Sequence, residues 1–316
     1  MTRLVVTTGD PSGIGPEVAV RALASWPERG SVVLAGEAQS LDEAVARYAP
    51  DRRLNLLPVE GLEPAPMGEV SAAGGAAAMA VLDAGIDLVL DGQADAIVTG
   101  PINKAAVREA GHGDFQGHTE YLAQRSGADG RVAMLLDSDR LRVVHVSTHR
   151  SLRAATELDP DRLDLVIDLI AVHLRDRGAT APSILVAGLN PHAGEHGAFG
   201  TEDDAIILPA IERARGRHPG VRFEGPVAPD TCFLRALDVP ETAVVAMYHD
   251  QGHIPVKLMA RDTAVNVTLG LPFVRTSVDH GTAHDIADRG IADPAPMVAA
   301  LCAAMALANA RGGTTR

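Results

Sequence analysis

Short runs of β-branched and aliphatic residues alternate along the chain with longer segments rich in alanine and leucine. This alternation is typical of an α/β protein with a mainly parallel sheet. Within residues 162–177, apolar positions recur every three to four residues, which predicts an amphipathic helix packed on a sheet. The predicted strands are Leu4–Thr8, Val32–Ala35, Ala96–Thr99, Leu141–Ser147, Ser183–Ala187, Thr242–Tyr248 and Ala264–Thr268. The predicted helices are Pro16–Ala24, Ala38–Tyr48, Ala72–Leu90, Thr119–Ser126, Arg162–Arg177, Glu202–Arg215 and Pro296–Ala310.

Polar, glycine-rich segments follow the C-terminal ends of the predicted strands. They are TTGDPSGIGPE, TGPINK, HVSTH, AGLNPHAGEHG, YHDQGH and VNVTLGLP. In open α/β sheets, ligands bind outside the carboxyl ends of the strands, so we expect these loops to converge on one cleft. The segment 55–70 contains three prolines and two glycines and is predicted to be a loop.

The length of the chain predicts its number of domains, and its charge bears on whether it binds nucleic acid. The chain has 316 residues with 28 basic and 41 acidic side chains, which gives a net charge of −13. A chain of this length predicts two domains. We expect the first to comprise residues 1–128 with a C-terminal helix at about 292–316, and the second to comprise residues 129–291. An acidic chain without a basic stripe is not expected to bind nucleic acid.

Cysteine content and hydropathy predict a location. The two cysteines, Cys232 and Cys302, are too few to cross-link so long a chain, which favours a reducing compartment. The longest uncharged stretch, residues 294–310, falls short of the ~20 apolar residues that span a bilayer, so we expect a buried helix. The first apolar run is too short for a signal peptide. We therefore expect a soluble, cytoplasmic protein that does not bind a membrane.

Histidines provide the first candidate chemistry, because eight of the 12 form four pairs spaced i,i+4. The pairs 192/196 and 249/253 enclose loop-like sequence, so we do not expect a helical two-histidine metal site. Instead, His149, His192 and His249 each follow a different predicted strand and would meet at one divalent metal. Imidazole suits Zn, Co, Ni or Fe, and three protein ligands leave positions open for substrate. The alternative is three ordinary hydrogen-bonding histidines.

Two further segments suggest anion binding. Residues 9–17 form a glycine turn before a predicted helix, whose free backbone N–H groups would favour an anion, although the alternative is a tight packing turn. The segment matches neither GxGxxG nor a P-loop. Lys257, Asn266 and Arg275 follow one another at nine-residue spacing and together suit a phosphate or carboxylate, the alternative being a solvated face.

Seven motifs occur in order along nearly the whole chain: TTGDPSGIGPE, TGPINK, FQGHTEYLA, HVSTHRSLR, AGLNPHAGEHGAFGTED, YHDQGHIPVK and VNVTLGLPFVRTSVDHGTAHDIA. In combination they resemble the 4-hydroxythreonine-4-phosphate dehydrogenase (PdxA) family of pyridoxine biosynthesis. The resemblance implies two α/β/α domains with a cleft between them, related in fold to isocitrate and isopropylmalate dehydrogenases. It also implies a homodimer with shared active sites. His149 and His192 of one subunit and His249 of the other would bind zinc, or Co, Mg, Mn or Ni.

The resemblance also implies the residues that bind substrate and cofactor. His118 and Thr119 of the GHTE motif would hold the substrate with Lys257, Asn266 and Arg275. The segment 280–287 is similar to the cofactor loop HGSAPDIAG of isopropylmalate dehydrogenase, although His284 replaces its proline and Asp288 its last glycine. The implied NAD-binding residues are His280, Gly281, Thr282, Ala283 and Asp285, and NADP is the alternative cofactor.

The implied reaction is an NAD-dependent, metal-assisted oxidation and decarboxylation of a phosphorylated 3-hydroxy acid. Lys257 would stabilise the enolate oxygen, and either Asp250 or Asp230 would take the hydroxyl proton. Paralogues of the family act on 4-phospho-D-threonate, 4-phospho-D-erythronate or carboxylated cyclohexadiene diols, and these substrates are alternatives. A non-catalytic metal- or phosphate-binding protein is the rival from another class. Phosphoryl or acyl transfer is disfavoured, since neither a P-loop nor GxSxG occurs.

Overall fold

Strands alternate with helices through most of the chain, in agreement with the pattern of apolar residues. The computed structural model describes residues 2–27, 32–260 and 263–314. The strands are β1 (Leu4–Thr7), β2 (Val32–Glu37), β3 (Asn55–Val59), β4 (Ala96–Thr99), β5 (Ala133–Asp137), β6 (Val143–His145), β7 (Ser183–Ala187), β8 (Arg222–Val227), β9 (Thr242–Ala246), β10 (Val265–Leu269) and β11 (Val274–Ser277).

The helices are α1 (Gly15–Ser25), α2 (Ala38–Tyr48), α3 (Ala72–Leu90), α4 (Lys104–Glu109), α5 (His118–Arg125), α6 (Leu152–Ala155), α7 (Pro160–Asp176), α8 (Leu208–Arg217), α9 (Pro229–Leu237), α10 (His249–Ala260) and α11 (Ala295–Thr314). Two 3-10 turns cover Pro191–Gly194 and His284–Ile286, and a π-helical turn covers Asp203–Ile207. The predicted bounds agree with the observed ones for α2, α3, β4 and β7.

The chain divides into two compact units. The first comprises Met1–Gly130 and Leu271–Arg316, and the second comprises Arg131–Gly270. Residues 271–291, which the sequence analysis assigned to the second domain, lie in the first unit because β11 pairs in parallel with β4.

The first unit contains a parallel sheet in the order β3-β2-β1-β4-β11. Every residue of β1 and β4 is buried, which explains why both strands are continuously apolar rather than alternating. Helices α3 and α11 are long and apolar enough to cross a membrane by length and composition alone. Met297 and Ala300 of α11 are nevertheless fully buried, and Thr276 Oγ1 of β11 donates a hydrogen bond to the Ala300 carbonyl at 2.8 Å. Helix α11 therefore buries one face in the first unit, whereas the sequence predicted a buried helix.

The second unit contains a mixed sheet in the order β10-β5-β6-β9-β7-β8. Strand β5 is antiparallel to both of its neighbours, whereas β6, β9, β7 and β8 are parallel to one another. Its core contains apolar residues from five strands and from α9 and α10, including Leu136, Val143, Leu185, Val244 and Val256. Because parallel strands share one carboxyl edge, the segments that follow β6, β7 and β9 begin side by side.

Two elements contradict the sequence analysis. Strand β3 lies inside the segment 55–70 that was expected to be a loop, and it forms the edge of its sheet, where Pro58 is tolerated. Helix α10 begins at His249 and continues through Gly252 and Pro255. The expectation that 249/253 is not helical is therefore wrong.

Packing predicts opposite effects for two glycine-to-alanine substitutions in helices. A Cβ on Gly75 of α3 would collide with the Ala106 carbonyl of α4, whereas a Cβ on Gly216 of α8 meets nothing within 4 Å. Alanine is the better helix former by about 1 kcal/mol, so Gly216→Ala should raise the free energy of unfolding by up to that amount. Gly75→Ala should lower it by roughly 1–3 kcal/mol through overpacking. Urea denaturation measures both, and changes of the same sign would contradict this packing.

Candidate active site

Two of the candidate metal ligands lie beside each other in the second unit. Strands β6 and β9 are parallel neighbours, with His145 opposite Ala246, and the segments that follow them carry His149 and His249. The ring centroids of His149 and His249 are 6.0 Å apart. Both residues line a cavity of about 280 Å³. The structure therefore brings these two predicted ligands together within one chain.

A stack of histidines supports His249. Helical spacing places the His253 ring against His249, with centroids 3.6 Å apart and planes inclined by 10°. Rings stacked in parallel cannot aim their nitrogens at one ion, so 249/253 is not a two-histidine metal site even though it is helical. His253 Nδ1 lies 3.1 Å from His145 Nε2. Burial, followed by the neighbouring His253, lowers the pKa of His145 to about 3, so this ring is neutral.

A carboxylate contacts one ring nitrogen of His249. The Nδ1 atom of His249 lies 2.6 Å from Asp250 Oδ1. A carboxylate on one ring nitrogen is the usual support for a histidine that binds metal through the other. His192 lies in the turn after β7, where its backbone is left-handed (φ 53°), with its ring 6.1 Å from that of Phe199. Within residues 2–27, 32–260 and 263–314, no three His, Cys, Asp or Glu side chains are arranged to hold an ion. The imidazoles of His149 and His249 are donors of the kind that binds divalent metals, and the described residues complete no set of three.

A buried cation lies in the first unit. Arg275 of β11 is only 3% exposed, and its Nε and Nη2 donate to Thr99 Oγ1 at 3.2 and 2.8 Å. Burial lowers the pKa of Arg275 to about 10, an effect that Glu120 opposes. The guanidinium is therefore still charged at neutral pH but poorly hydrated, which favours binding of an anion.

His118 and Lys104 accompany this cation. Burial lowers the pKa of His118 to about 3, and the charges of Arg275 and Lys104 contribute to the shift. The Nε2 atom of His118 is buried and has no hydrogen-bond partner among the residues that the structure describes. Thr119 follows His118 in the first turn of α5. Sequence reasoning missed Lys104, although the TGPINK motif that ends in it lies in the loop after β4.

The remaining candidate substrate and proton-transfer residues lie in the second unit. Lys257 is exposed on α10. Asn266 of β10 donates through Nδ2 to Met134 Sδ at 3.5 Å, while its Oδ1 is buried without a hydrogen-bond partner among the described residues. Asp230 and Asp250 both line an apolar groove of about 540 Å³ between α9 and α10. The structure therefore keeps both carboxylates as candidates for the proton acceptor.

The glycine turn and the predicted cofactor loop contact each other within the first unit. The amide of Ile14 donates to the Thr282 carbonyl at 2.9 Å, and a Cβ on Gly13 would lie 2.5 Å from the same oxygen. The amides of Asp10, Ser12 and Gly13 are also hydrogen-bonded within the protein. This segment is therefore a packing turn rather than an anion site. His284, the residue that replaces proline, has its Nε2 3.5 Å from Asp10 Oδ2.

The glycine turn and the predicted cofactor loop both contain buried polar atoms that suit a polar ligand. Ala283 adopts the left-handed conformation (φ 44°) and precedes the 3-10 turn that includes Asp285. Gly281 is exposed, and Asp288 forms an ion pair with Arg47. Atoms without a hydrogen-bond partner among the described residues include Asp10 Oδ2, Ser12 Oγ, His280 Nε2 and His284 Nε2. Hydroxyl and amide groups of a dinucleotide would satisfy such atoms.

Comparison with known proteins identifies the family. The model of the family described as Pyridoxal phosphate biosynthetic protein PdxA matches residues 15–304. This chain belongs to the PdxA family. It is 41% identical to D-threonate 4-phosphate dehydrogenase of Pectobacterium atrosepticum, over 96% of this chain and 99% of that protein. It is 44% identical to 4-hydroxythreonine-4-phosphate dehydrogenase of Desulfosudis oleivorans, over 94% and 93% of the two chains.

Solved structures agree with this assignment. The crystal structure of 4-hydroxythreonine-4-phosphate dehydrogenase from Klebsiella pneumoniae has a TM-score of 0.86 and 39% identity, covering 98% of this chain and 100% of that one. Isocitrate dehydrogenase from Methylococcus capsulatus shares the fold, with a TM-score of 0.52 at 16% identity over 99% and 88% of the chains. The predicted fold class is confirmed. As a PdxA-family member, the protein is a dehydrogenase of phosphorylated hydroxy acids, which implies a nicotinamide cofactor.

The low pKa of His118 predicts a specific dependence of stability on pH. The unfolded chain binds a proton at this residue near pH 6.5, whereas the folded protein does not do so until about pH 3. The free energy of unfolding should therefore fall as the pH is lowered through this window, by roughly 1.4 kcal/mol per pH unit for this residue. His118→Asn should remove that contribution. Urea denaturation at pH 6 and at pH 4 measures it, as the change in the free energy of unfolding between the two pH values. His112→Asn, at an exposed position, should retain the wild-type slope, and equal slopes in both variants would contradict the assignment.

Proposed function

We propose that this PdxA-family dehydrogenase catalyses the NAD-dependent, divalent-metal-assisted oxidation and decarboxylation of a phosphorylated 3-hydroxy acid. The observation that carries the proposal is the pair His149 and His249, which line one cavity at neighbouring strand ends. The contact between His249 and Asp250 adds the carboxylate that supports a metal-binding imidazole. The substrate is 4-hydroxythreonine 4-phosphate or D-threonate 4-phosphate, the compounds for which the two relatives above are named.

The cation cluster of the first unit supports a phosphorylated or carboxylated substrate. Arg275 supplies a rigid, planar donor and Lys104 a second positive charge. Neutral His118 supplies a ring nitrogen, Nε2, that forms no hydrogen bond with the residues the structure describes. Thr119, Lys257 and Asn266 would complete the set of substrate contacts.

In the proposed reaction, a bound metal and NAD would act on the substrate together with the protein's own residues. A divalent metal, zinc or another ion that imidazole binds, would polarise the substrate hydroxyl, and NAD, held by the loop at 280–285, would accept the hydride. Asp250 or Asp230 would take the hydroxyl proton. Lys257 would stabilise the enolate oxygen that remains after CO₂ is lost.

The proposed metal site requires a second copy of the chain. A catalytic zinc site usually has three protein ligands, whereas the described part of one chain brings two candidates together, His149 and His249. Helix α10, which begins at His249, also presents Ile254 and Leu258 with 58% and 80% of their surface exposed. Leu234 of α9, 65% exposed, lies on the same apolar groove. A second copy that covers this groove would bury the apolar face and deliver the missing ligand.

The cellular location is also part of the proposal. Neither Cys232 nor Cys302 forms a disulfide. Thiols that are not joined in disulfides and a nicotinamide-linked reaction both suit the reducing cytoplasm.

Turnover with defined substrates tests the proposed reaction. Purified enzyme with NAD and either phosphorylated substrate should produce NADH absorbance. The absorbance should disappear with a chelator and return when zinc or cobalt is added. The same substrate without its phosphate should react with a kcat/KM lower by about a hundredfold or more, since charge-assisted contacts contribute roughly 1.5–3 kcal/mol each. NADH formation that a chelator does not affect would refute the metal, and no NADH with either substrate would refute the proposed reaction.

Mixed dimers test how the ligands are shared. His149→Ala, His192→Ala and His249→Ala should each abolish turnover as pure proteins. If His249 comes from the partner, mixing His249→Ala with either other variant should restore activity, because one site of each mixed dimer is intact. Mixing His149→Ala with His192→Ala should restore none. If instead His149 and His249 serve one site together, that last mixture should recover and the pair His149→Ala with His249→Ala should not. No recovery in any mixture after verified subunit exchange would refute a shared site.

A further inference from the structure

The loop that carries His192 contains an unusual run of backbone conformations. All six residues from 192 to 197 have positive φ, including non-glycine residues His192 (φ 53°), Ala193 (φ 54°), Glu195 (φ 42°) and His196 (φ 55°). Successive left-handed residues are rare because each Cβ crowds the following carbonyl oxygen. Local hydrogen bonds join the run, such as Gly197 N to Gly194 O at 3.0 Å and Ala198 N to Glu195 O at 3.2 Å. We call residues 192–197 the left-handed turn.

One buried carboxylate, that of Asp203, anchors the entry to this turn. Asp203 is 1% exposed and is the first residue of the π-helical turn. Its Oδ1 accepts a hydrogen bond from the Leu189 amide at 2.8 Å. Its Oδ2 accepts from the amide of Asn190 at 3.2 Å and from Asn190 Nδ2 at 2.8 Å. Three donors immediately before His192 therefore converge on a single carboxylate.

Glycines make room for this anchor. A Cβ on Gly188 would lie 2.7 Å from Asp203 Oδ1 and 2.9 Å from the Ala193 Cα, so only glycine admits the carboxylate beneath the turn. Asn190 Nδ2 also donates to Glu202 Oε2 at 2.8 Å, next to Gly200. Gly188 and Asn190 thus pack closely against Asp203 and its neighbour Glu202.

A buried glutamine links the anchored segment to the helix that carries His249. Gln251 Nε2 donates to the Gly188 carbonyl at 2.8 Å, and its Oε1 accepts from the Met247 amide at 2.6 Å. Met247 lies in the segment between β9 and α10, just before His249. The backbone before His192 and the backbone before His249 are therefore fixed relative to each other inside the second unit.

We infer that Asp203 is a positioning residue, which holds the left-handed turn in the conformation that presents the His192 imidazole to the metal. The inference rests on the proposed function, because it takes His192 as a ligand. It assigns to Asp203 no contact with metal or substrate. Its carboxylate acts through the backbone of residues 189 and 190 and so through the conformation of the turn.

Substitution of Asp203 provides the test. Asp203→Asn should weaken Co²⁺ binding by about ten- to a hundredfold, the usual effect of losing support for a metal ligand. Asp204→Asn is the matched control, since it removes the same charge from the adjacent, exposed position. Asn190→Ala, a milder change, should weaken binding in the same direction. In a His192→Ala background, Asp203→Asn should change the Co²⁺ affinity no further, because the turn then presents no imidazole.

Backbone rescue separates positioning from general destabilisation. Ala193→Gly should recover part of the lost Co²⁺ affinity in the Asp203→Asn protein, because glycine adopts the left-handed conformation without strain. Ala198→Gly, just beyond the left-handed turn, should recover none. Equal effects of Asp203→Asn and Asp204→Asn, or an undiminished effect of Asp203→Asn in the His192→Ala background, would overturn the inference.

Hydrogen exchange provides a readout that needs no metal. The amides of residues 189, 190 and 192–199 should exchange faster in Asp203→Asn than in wild type or Asp204→Asn, because two of them donate directly to the carboxylate. If wild-type protein binds no Co²⁺, the proposed metal site fails on its own, and the exchange rates alone decide whether Asp203 holds the turn. The exchange rates are likewise the deciding measurement in the case that His192→Ala abolishes Co²⁺ binding, because the double variant then gives no affinity to compare. Unchanged exchange in Asp203→Asn would refute the inference in either case.

Discussion

Parallel pairing of β6, β9 and β7 determines where the candidate chemistry of the second unit can lie. The backbone hydrogen bonds of these strands fix their register and bring their carboxyl ends to one edge. His149, His192 and His249 follow three different strands and are far apart in sequence, yet each belongs to a segment that begins at this edge. The buried apolar residues of the strands stabilise the pairing, and the polar segments beyond them are free to carry function.

Burial then sets the state of the polar groups around the candidate sites. His145 and His118 remain neutral because a low-dielectric environment disfavours their charged forms. Arg275 keeps its charge but loses hydration, which makes it a stronger partner for an anion than an exposed arginine would be. The carboxylate of Asp203 is buried with three hydrogen-bond donors, as a buried charge requires. The protein thus fixes charge and orientation before any ligand arrives.

The sequence predicts much of this arrangement because apolar runs, and the glycine, proline and polar residues that end them, are local signals. Strand β4 and helix α3 have such signals and were predicted at their observed bounds. Helix α10 was not predicted, since Gly252 and Pro255 oppose helix by propensity. In the fold, Gly252 is needed because a Cβ there would collide with His145, and this requirement is invisible without the neighbouring strand. Strand β11 was missed because the strand pattern does not anticipate a buried arginine such as Arg275.

Candidate site residues also differ in whether a local sequence signal marks them. His149 and His249 were predicted as metal ligands from their residue type and their places after strands, and the structure brings their rings within 6.0 Å of each other. Lys104 was missed because a lone lysine has no distinctive pattern, and only the proximity of His118 and Arg275 gives it significance. The sequence did not point to Asp203 for a similar reason, since its proposed role depends on backbone amides that no side-chain motif reveals. Conformation at residues 192–197 is also hidden, because histidine, alanine and glutamate do not favour left-handed backbone.

Helix α10 joins two properties in one rigid element, since His249 lies at its first residue and Leu258 nine residues later, about 13 Å along the axis at 1.5 Å per residue. In the proposed assembly, one end of this element serves the chemistry and the other serves association. A small apolar molecule seated in the groove between α9 and α10 would then act as an inhibitor without resembling substrate or cofactor. Such a compound would not compete with the nicotinamide, which many unrelated enzymes bind. Its selectivity would depend instead on the side chains of Leu234, Ile254 and Leu258.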